Sequence, residues 1–412
     1  MLLLLPMLLS PLATLTAAAG APRRVVGAEL LGTYQIPRGT AIPGAIAEVG
    51  GLSGLASDPG AAGRVYAVSD RGDVFITSVA VTATDGLQVE LDGAFHVGVS
   101  GGNPSRPLYV DAEGIAVCAV AGGGSSELEA AAAAAVPLLV STEDPPRVAR
   151  LNKVNGTAWS DDDVALPPVQ LGHIINASST RRNGQLESLS CWTGEGAAAA
   201  AGAAAQAAAS SHYTGTIFTA NELSLHQDSE PPELWEGGTI GGSVRIFSVD
   251  RSTGLVSRTT RYVLDRRSGN GLVDVEAVGP RGSLLTMERA FEFGVGNTIK
   301  IYAVDSVESV PDASGCDSFS EASGCATAVN KWLVLDLGTV EGLELDNYEG
   351  MALLQEPLPD GRRVLLIVND NNFSPGQLPT TFVALALTEE VTVALGDDLG
   401  VGIAPYGMVI FL

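Results

Sequence analysis

An all-β fold built as a single β-propeller is what this sequence predicts, from three observations. Short apolar runs rich in Val, Ile and Leu end in polar oxygen-bearing residues, as in Val364-Leu365-Leu366-Ile367-Val368-Asn369-Asp370; Gly (49) and Pro (22) are abundant among the 412 residues; and one two-strand pattern recurs five times. Runs this short suit strands better than helices, and the Gly and Pro between them supply tight turns.

In chain order, residues 1–21 read as a secretory signal: an apolar core, then Ala17-Ala18-Ala19 as a small-residue cleavage site, then Arg23-Arg24. Pro6 and Pro11 interrupt the run, which argues against a spanning helix. The mature propeller domain is expected over 22–412, with Ala-rich insertions near 121–136 and 194–211.

The copies open at Ser53-Gly54-Leu55-Ala56, Glu113-Gly114-Ile115-Ala116, Glu187-Ser188-Leu189-Ser190, Glu276-Ala277-Val278 and Glu349-Gly350-Met351-Ala352. Each is followed by a second apolar strand, ending at Asp70-Arg71, Glu143-Asp144, Asn221-Glu222, Glu288-Arg289 and Asp370-Asn371 respectively. Further strands follow, such as 298–304 and 331–337, and four strands per copy make a blade. The spacings of 60, 74, 89 and 73 residues exceed the roughly 40–50 of compact blades, and the Ala runs lie where surface loops lengthen at small entropic cost. Five blades are expected, six if the longest interval hides another. The segment Ala28–Ile36 is expected to complete the last blade beside Thr381–Leu387, closing the ring of N- and C-terminal strands.

A closed ring turns sequence-distant acids into neighbours. Glu113, Glu187, Glu276 and Glu349 are expected at equivalent places on inner strands, and Asp70, Glu143, Glu222, Glu288 and Asp370 as a second ring near one mouth. Hard oxygen donors without His or Cys favour Ca2+, with Mg2+ or Mn2+ behind. The candidate metal ligands are Glu113, Glu187, Glu276, Glu349, Asp70, Asp370 and Asn371; the alternative is that these acids cap backbone amides at blade corners. Arg71 and Arg289 each follow a ring acid, and either clamp a phosphate or carboxylate or neutralise their neighbours.

The net charge of −24 excludes nucleic acid and anionic lipid as natural partners and makes an anionic substrate depend on a bound cation. Histidines 96, 173, 212 and 226 lie outside the repeats, and GLSGLA does not match G-x-S-x-G, so a Ser-His triad is not supported. Gly122–Gly124 and Gly237-Gly238 lack the P-loop lysine and helix. Of four cysteines, Cys316 and Cys325 enclose a Ser/Gly-rich loop and are the expected pair; Cys118 and Cys191 follow apolar cores as candidate buried thiols, their pairing open. The sequons at Asn155 and Asn176 suit a secreted glycoprotein.

The motifs GLSGLASDP…RVYAVSDRG (51–72), DAEGIAV (111–117), QLESLS (185–190), DVEAV…LLTMERAF (274–291) and DNYEGMALL…GRRVLLIVNDNNFSPGQLPTTF (346–382) together resemble the phytase-like family with esterase-like activity, a secreted β-propeller group. The resemblance implies ester or phosphoester hydrolysis and points to Glu113, Glu187, Glu276, Glu349, Asp70, Arg71, Glu288, Arg289, Asp370 and Asn371; among these, Glu276, Glu288, Arg289 and Arg71 are the expected catalytic set. The expected function is a secreted, extracellular, Ca2+-dependent hydrolase of a small anionic ester, monomeric and without stable membrane insertion. A metal polarising a phosphoryl oxygen and activating water would be its chemistry. A non-catalytic ligand- or protein-binding propeller and a metal-dependent carboxylic ester or lactone hydrolase are the alternatives.

Overall fold

Continuous apolar runs such as Val364–Val368 arise when both faces of a strand are covered, because successive side chains point to opposite sides of a sheet. The computed structural model of the chain bears this out: Leu365 and Ile367 pack on one neighbouring sheet, and Val364, Leu366 and Val368 on the other. The structure describes residues 23–82, 86–97, 111–118, 138–143, 147–151, 171, 185–192, 215–229, 242–319, 325, 327–392 and 409–411, apart from 252, 268, 280 and 281. The signal segment, both Ala-rich insertions and both sequons lie outside the described residues.

The described strands form five antiparallel sheets. The N-terminal strand β1 (Arg23–Ile36) belongs to the last of them. The first sheet contains β2 (Leu52–Ser57), β3 (Arg64–Ser69), β4 (Asp73–Thr82) and β5 (Gly86–His96) in that order. The second has three described strands, β6 (Ala112–Val117), β7 (Leu138–Thr142) and β8 (Arg147–Leu151). In the third are β9 (Leu186–Trp192), β10 (Thr216–Asn221), β11 (Ser243–Asp250) and β12 (Val256–Val263). The fourth runs through β13 (Asn270–Gly279), β14 (Ser283–Glu292), β15 (Gly296–Val304) and β16 (Lys331–Asp336). In the fifth, β17 (Tyr348–Leu353), β18 (Val364–Asn369) and β19 (Thr380–Thr392) are completed by β1, and β20 (Val409–Phe411) pairs with the far end of β19.

Five apolar clusters fill the five gaps between consecutive sheets, including the gap from the fifth back to the first. The inner strands β2, β6, β9, β13 and β17 meet in that cyclic order, so the sheets are blades around one axis. No sixth sheet occurs among the described residues. Closure follows the expected pairing, with Tyr34 opposite Phe382 and Leu30 opposite Leu385.

Where inner strands meet, side chains must be small. A Cβ on Gly54 would come within 2.6 Å of the Glu113 carbonyl oxygen, and one on Gly114 within 2.6 Å of the Leu189 nitrogen. Blade four uses carboxylates instead: Asp274 Oδ2 accepts the Met351 amide at 2.6 Å and Glu276 Oε1 accepts that of Leu353 at 2.8 Å. Both cysteine pairs are disulfides. Cys316–Cys325 is the expected one, whereas Cys118 and Cys191 are joined, tying the end of β6 to β9, rather than standing as two buried thiols.

Candidate functional site

Strand register places the site residues. At the ends of the second strands, Ser69 pairs with Leu52, Thr142 with Ala112, Asn221 with Leu186, Glu288 with Leu272 and Asn369 with Tyr348. The next residue of each second strand therefore stands at one level: Asp70, Glu143, Glu222, Arg289 and Asp370. Their backbone amides remain held by the inner edge, Asp70 by the Gly51 carbonyl, Glu143 by Asp111, Glu222 by Gln185 and Asp370 by Asn347. The same register aligns Ser53, Glu113, Glu187, Val273 and Glu349 on the inner strands.

Two expected members of the rings are displaced by this register. Glu276 lies three residues beyond the level of the other inner glutamates, a place that Val273 takes; β13 has the same irregularity after Leu272 that the other inner strands have at this level, so the offset lies in the position of the glutamate along the strand. Its carboxylate is engaged at the blade junction, accepting from Ser190 Oγ at 2.8 Å as well as from Leu353. Glu288 precedes the ring level by one residue and turns outward, accepting from Tyr262 Oη (2.7 Å), the Asp265 amide (2.9 Å) and Asn270 Nδ2 (2.7 Å), with Lys331 against it. The ring member of blade four is Arg289.

Asn371, expected as a ligand, has its oxygen committed to two amides, Gly51 and Phe373, each at 3.0 Å, while its Nδ2 donates to Thr380 Oγ1 at 3.1 Å. Asp111 was not singled out in the sequence, and Glu143 and Glu222 were expected in the second ring but not among the candidate ligands. Asp111 sat in the DAEGIAV motif, one strand-face period before Glu113. Asn347 was missed too; its Nδ2 bridges Glu349 Oε1 (2.9 Å) and Asp370 Oδ2 (3.3 Å).

The acids are buried and mutually repelling. Burial raises Glu113 and Glu187 well above the ordinary carboxylate range, and the charge of Glu349 adds to the first and that of Glu113 to the second. Burial likewise lifts Asp70, Glu222, Glu349 and Asp370 to about 7. Arg289 opposes this for Glu222, Glu349 and Asp370, and Arg71 opposes it for Asp70. Arg289 Nη2 lies 2.9 Å from Glu349 Oε1 and 3.2 Å from Glu222 Oε1.

Oxygens from Asp111, Glu113 and Glu143 lie within 4.8 Å of one another, as do oxygens from Glu143, Glu187 and Glu222. Ligand spheres of 2.3–2.6 Å radius bring donors to about such separations. The donors are all oxygen, and Ser53 Oγ, in a residue 3% exposed at the level of Glu113, has no hydrogen-bond partner among the described residues. The residues present thus fit a hard divalent cation. Together they form an acidic side, on blades two and three, with the Arg289 guanidinium against its Glu222.

Among solved structures, the endo-arabinase from Bacteroides thetaiotaomicron VPI-5482 is similar at 8% identity with a TM-score of 0.38, covering 87% of this chain and 99% of that one. The Neurospora crassa Pan2 WD40 domain matches at 8% identity and TM-score 0.31, covering 88% and 96%. The C-terminal WD40 domain of Sif2 gives 6% and 0.29, covering 88% and 99%. Likenesses this loose carry no argument, and the architecture rests on the strand pairing above. No curated protein matches the sequence. The model of the Phytase-like family, described as esterase-like activity of phytase, matches residues 47–373, well over half of the chain and all of the ring residues. The family suggests a hydrolase, its acidic mouth is suited to a metal ion, and the chain belongs to the Phytase-like family.

Proposed function

We propose that the chain is a secreted, calcium-dependent hydrolase that cleaves a small phosphoester at the acidic mouth of the propeller. The observation that supports it most is the convergence of Asp111, Glu113, Glu143, Glu187 and Glu222 from two blades, with Arg289 from a third against Glu222. Calcium bound there would polarise a phosphoryl oxygen and favour ionisation of water. The protein's own groups do the rest. Arg289 and Arg71 hold the anion, Arg289 fixed between Glu222 and Glu349 and Arg71 at the exposed rim. Asp70, lifted to about 7 by burial and by Asp370, is poised to accept a proton from attacking water near neutral pH. Glu276 and Glu288 take no part in this scheme, since their carboxylates brace blade junctions.

Secretion is supported by Ala17-Ala18-Ala19 in the signal-like start and by two disulfides, which persist in oxidising compartments. Among the described residues no helix is long and apolar enough to cross a membrane.

The esterase-like description of the family favours a second reading, a metal-dependent carboxylic ester or lactone hydrolase using the same mouth. One assay separates them: p-nitrophenyl phosphate, bis-p-nitrophenyl phosphate, p-nitrophenyl acetate and a simple lactone, each with calcium and with EDTA, on the wild type and Glu222→Gln. Calcium-dependent turnover of a phosphate ester, lost in the variant, is the expected result. Turnover indifferent to both EDTA and the substitution sinks the metal scheme; no turnover of any ester turns the reading to a non-catalytic binding propeller.

A further inference from the structure

Arg71 is exposed at the rim, and among the described residues its guanidinium makes no ion pair; what it touches is an aromatic ring, with its Cζ 3.5 Å from the centroid of Phe373. That ring is held in place by an unusual piece of backbone. Asn372 and Phe373 both adopt left-handed conformations, φ 47° and 48°, which non-glycine residues avoid. Two consecutive residues of this kind cost energy and persist only where surrounding contacts enforce them. The enforcing contacts are visible: the Asn371 carboxamide oxygen accepts the Phe373 amide and the Gly51 amide together, and the Ser374 amide donates to the Asn371 carbonyl at 2.7 Å. On the other side, Gly51 has φ +60°, and a Cβ there would stand 2.5 Å from Phe373 Cε2. The first blade gives up a side chain so that a ring from the fifth can lie against it.

We propose that Phe373 is a positioning residue for Arg71, fixing its guanidinium plane at the mouth so that its edge grips the oxyanion of the substrate. The inference rests on the phosphoester reading and deepens it. An unstacked arginine at an exposed rim samples many rotamers and would be drawn onto the adjacent carboxylates; a stacked one loses less freedom when it binds. Stacking on a face leaves the in-plane N–H groups free, and these are the donors that match two oxygens of a phosphoryl group. The same chemistry would serve a carboxylate.

The test is isothermal titration of inorganic phosphate into the calcium-loaded full chain, comparing Phe373→Leu, Phe373→Tyr, Arg71→Gln and the Phe373→Leu/Arg71→Gln double variant, each with its melting temperature. Phe373→Leu is expected to weaken phosphate binding by about five-fold. Phe373→Tyr should restore it, and the double variant should bind no worse than Arg71→Gln. Wild-type affinity in a folded Phe373→Leu variant, or losses that add in the double variant, overturns the proposal. Should Phe373→Leu fail to fold, Arg71→Lys keeps the charge without the planar stack, and unchanged affinity there overturns it equally. A wild-type protein that binds no phosphate overturns the phosphoester reading itself, a result distinct from binding that ignores Phe373.

Discussion

Arg289 Nη2 forms an ion pair with Glu349 Oε1 at 2.9 Å from the one ring position where a blade supplies a cation in place of a carboxylate. It also reaches Glu222 on blade three, so a single side chain of blade four ties both flanking blades at the mouth. Removing one partner from a buried charge cluster leaves the remaining charges uncompensated. Arg289→Gln should therefore destabilise the cation-free protein by about 2–4 kcal/mol at pH 8. Calcium should recover much of the loss, because the freed carboxylates of Glu222 and Glu349 become ligands. Denaturant melts with and without calcium check this; a loss of the same size in both conditions would mean that Arg289 and the cation do not share these acids.

Proton linkage gives a second expectation with a definite sign. In the folded chain Asp70, Glu222, Glu349 and Asp370 titrate near 7, against ordinary values of 3.8 for Asp and 4.5 for Glu. Between those values the folded state holds more protons than the unfolded one, so rising pH favours unfolding. One such group contributes up to about 4 kcal/mol, so from the four together the cation-free protein should lose at least roughly that much between about pH 4 and about pH 8. Calcium, which favours the ionised acids, should flatten or invert the trend. Thermal melts in EDTA at pH 5 and pH 8 decide it, and a higher melting temperature at pH 8 would contradict the buried clustering of these groups.

The disulfides should differ in weight. Cys118 and Cys191 are 73 residues apart and Cys316 and Cys325 nine, so the first restrains a far longer loop of the unfolded chain. Chain-entropy arguments give about 4 kcal/mol for the first and about 2–3 for the second as upper values. Cys118→Ala/Cys191→Ala should lower the melting temperature more than Cys316→Ala/Cys325→Ala, and should loosen the contact between β6 and β9 measured by hydrogen exchange. Equal shifts would show that the unfolded chain retains enough structure to hide the difference in loop length.

The ring itself was legible because every blade repeats an apolar second strand with a polar end, and because Ala28–Ile36 and Thr381–Leu387 each lacked another partner. The register inside blade four was not. The inner strand of blade four has an apolar residue, Val273, where the other copies carry Glu or Ser, and its glutamate comes three residues later, so Glu276 looked level with Glu349 when Val273 is. The Glu288-Arg289 pair was ambiguous because either residue is a polar end to the run before it. Asn371 was misleading in another way: a carboxamide that locks two backbone amides has the same composition as one that binds a cation, and only its partners tell them apart.

The sharpest comparison is between two buried glutamates of similar titration. Glu222 and Glu276 are both lifted to about 7 by burial, yet one shares a cluster with Glu143 and Glu187 while the other accepts from Leu353 and Ser190. Gln in place of Glu276 keeps one acceptor oxygen and turns the other into a donor facing a donor, which should cost about 1–3 kcal/mol of stability. Its affinity for a divalent cation should stay within about two-fold of wild type, because no ligand oxygen is lost. Gln in place of Glu222 removes a charge from the cluster and relieves repulsion, so the cation-free protein should hold or gain stability at pH 8 while cation affinity falls by about ten-fold or more. Terbium luminescence for binding and thermal melts for stability read both quantities on the same samples. Stability falls with Glu276→Gln and binding falls with Glu222→Gln only if the propeller separates the acids that brace its blades from those that face its mouth; loss of terbium binding in Glu276→Gln would return that residue to the site.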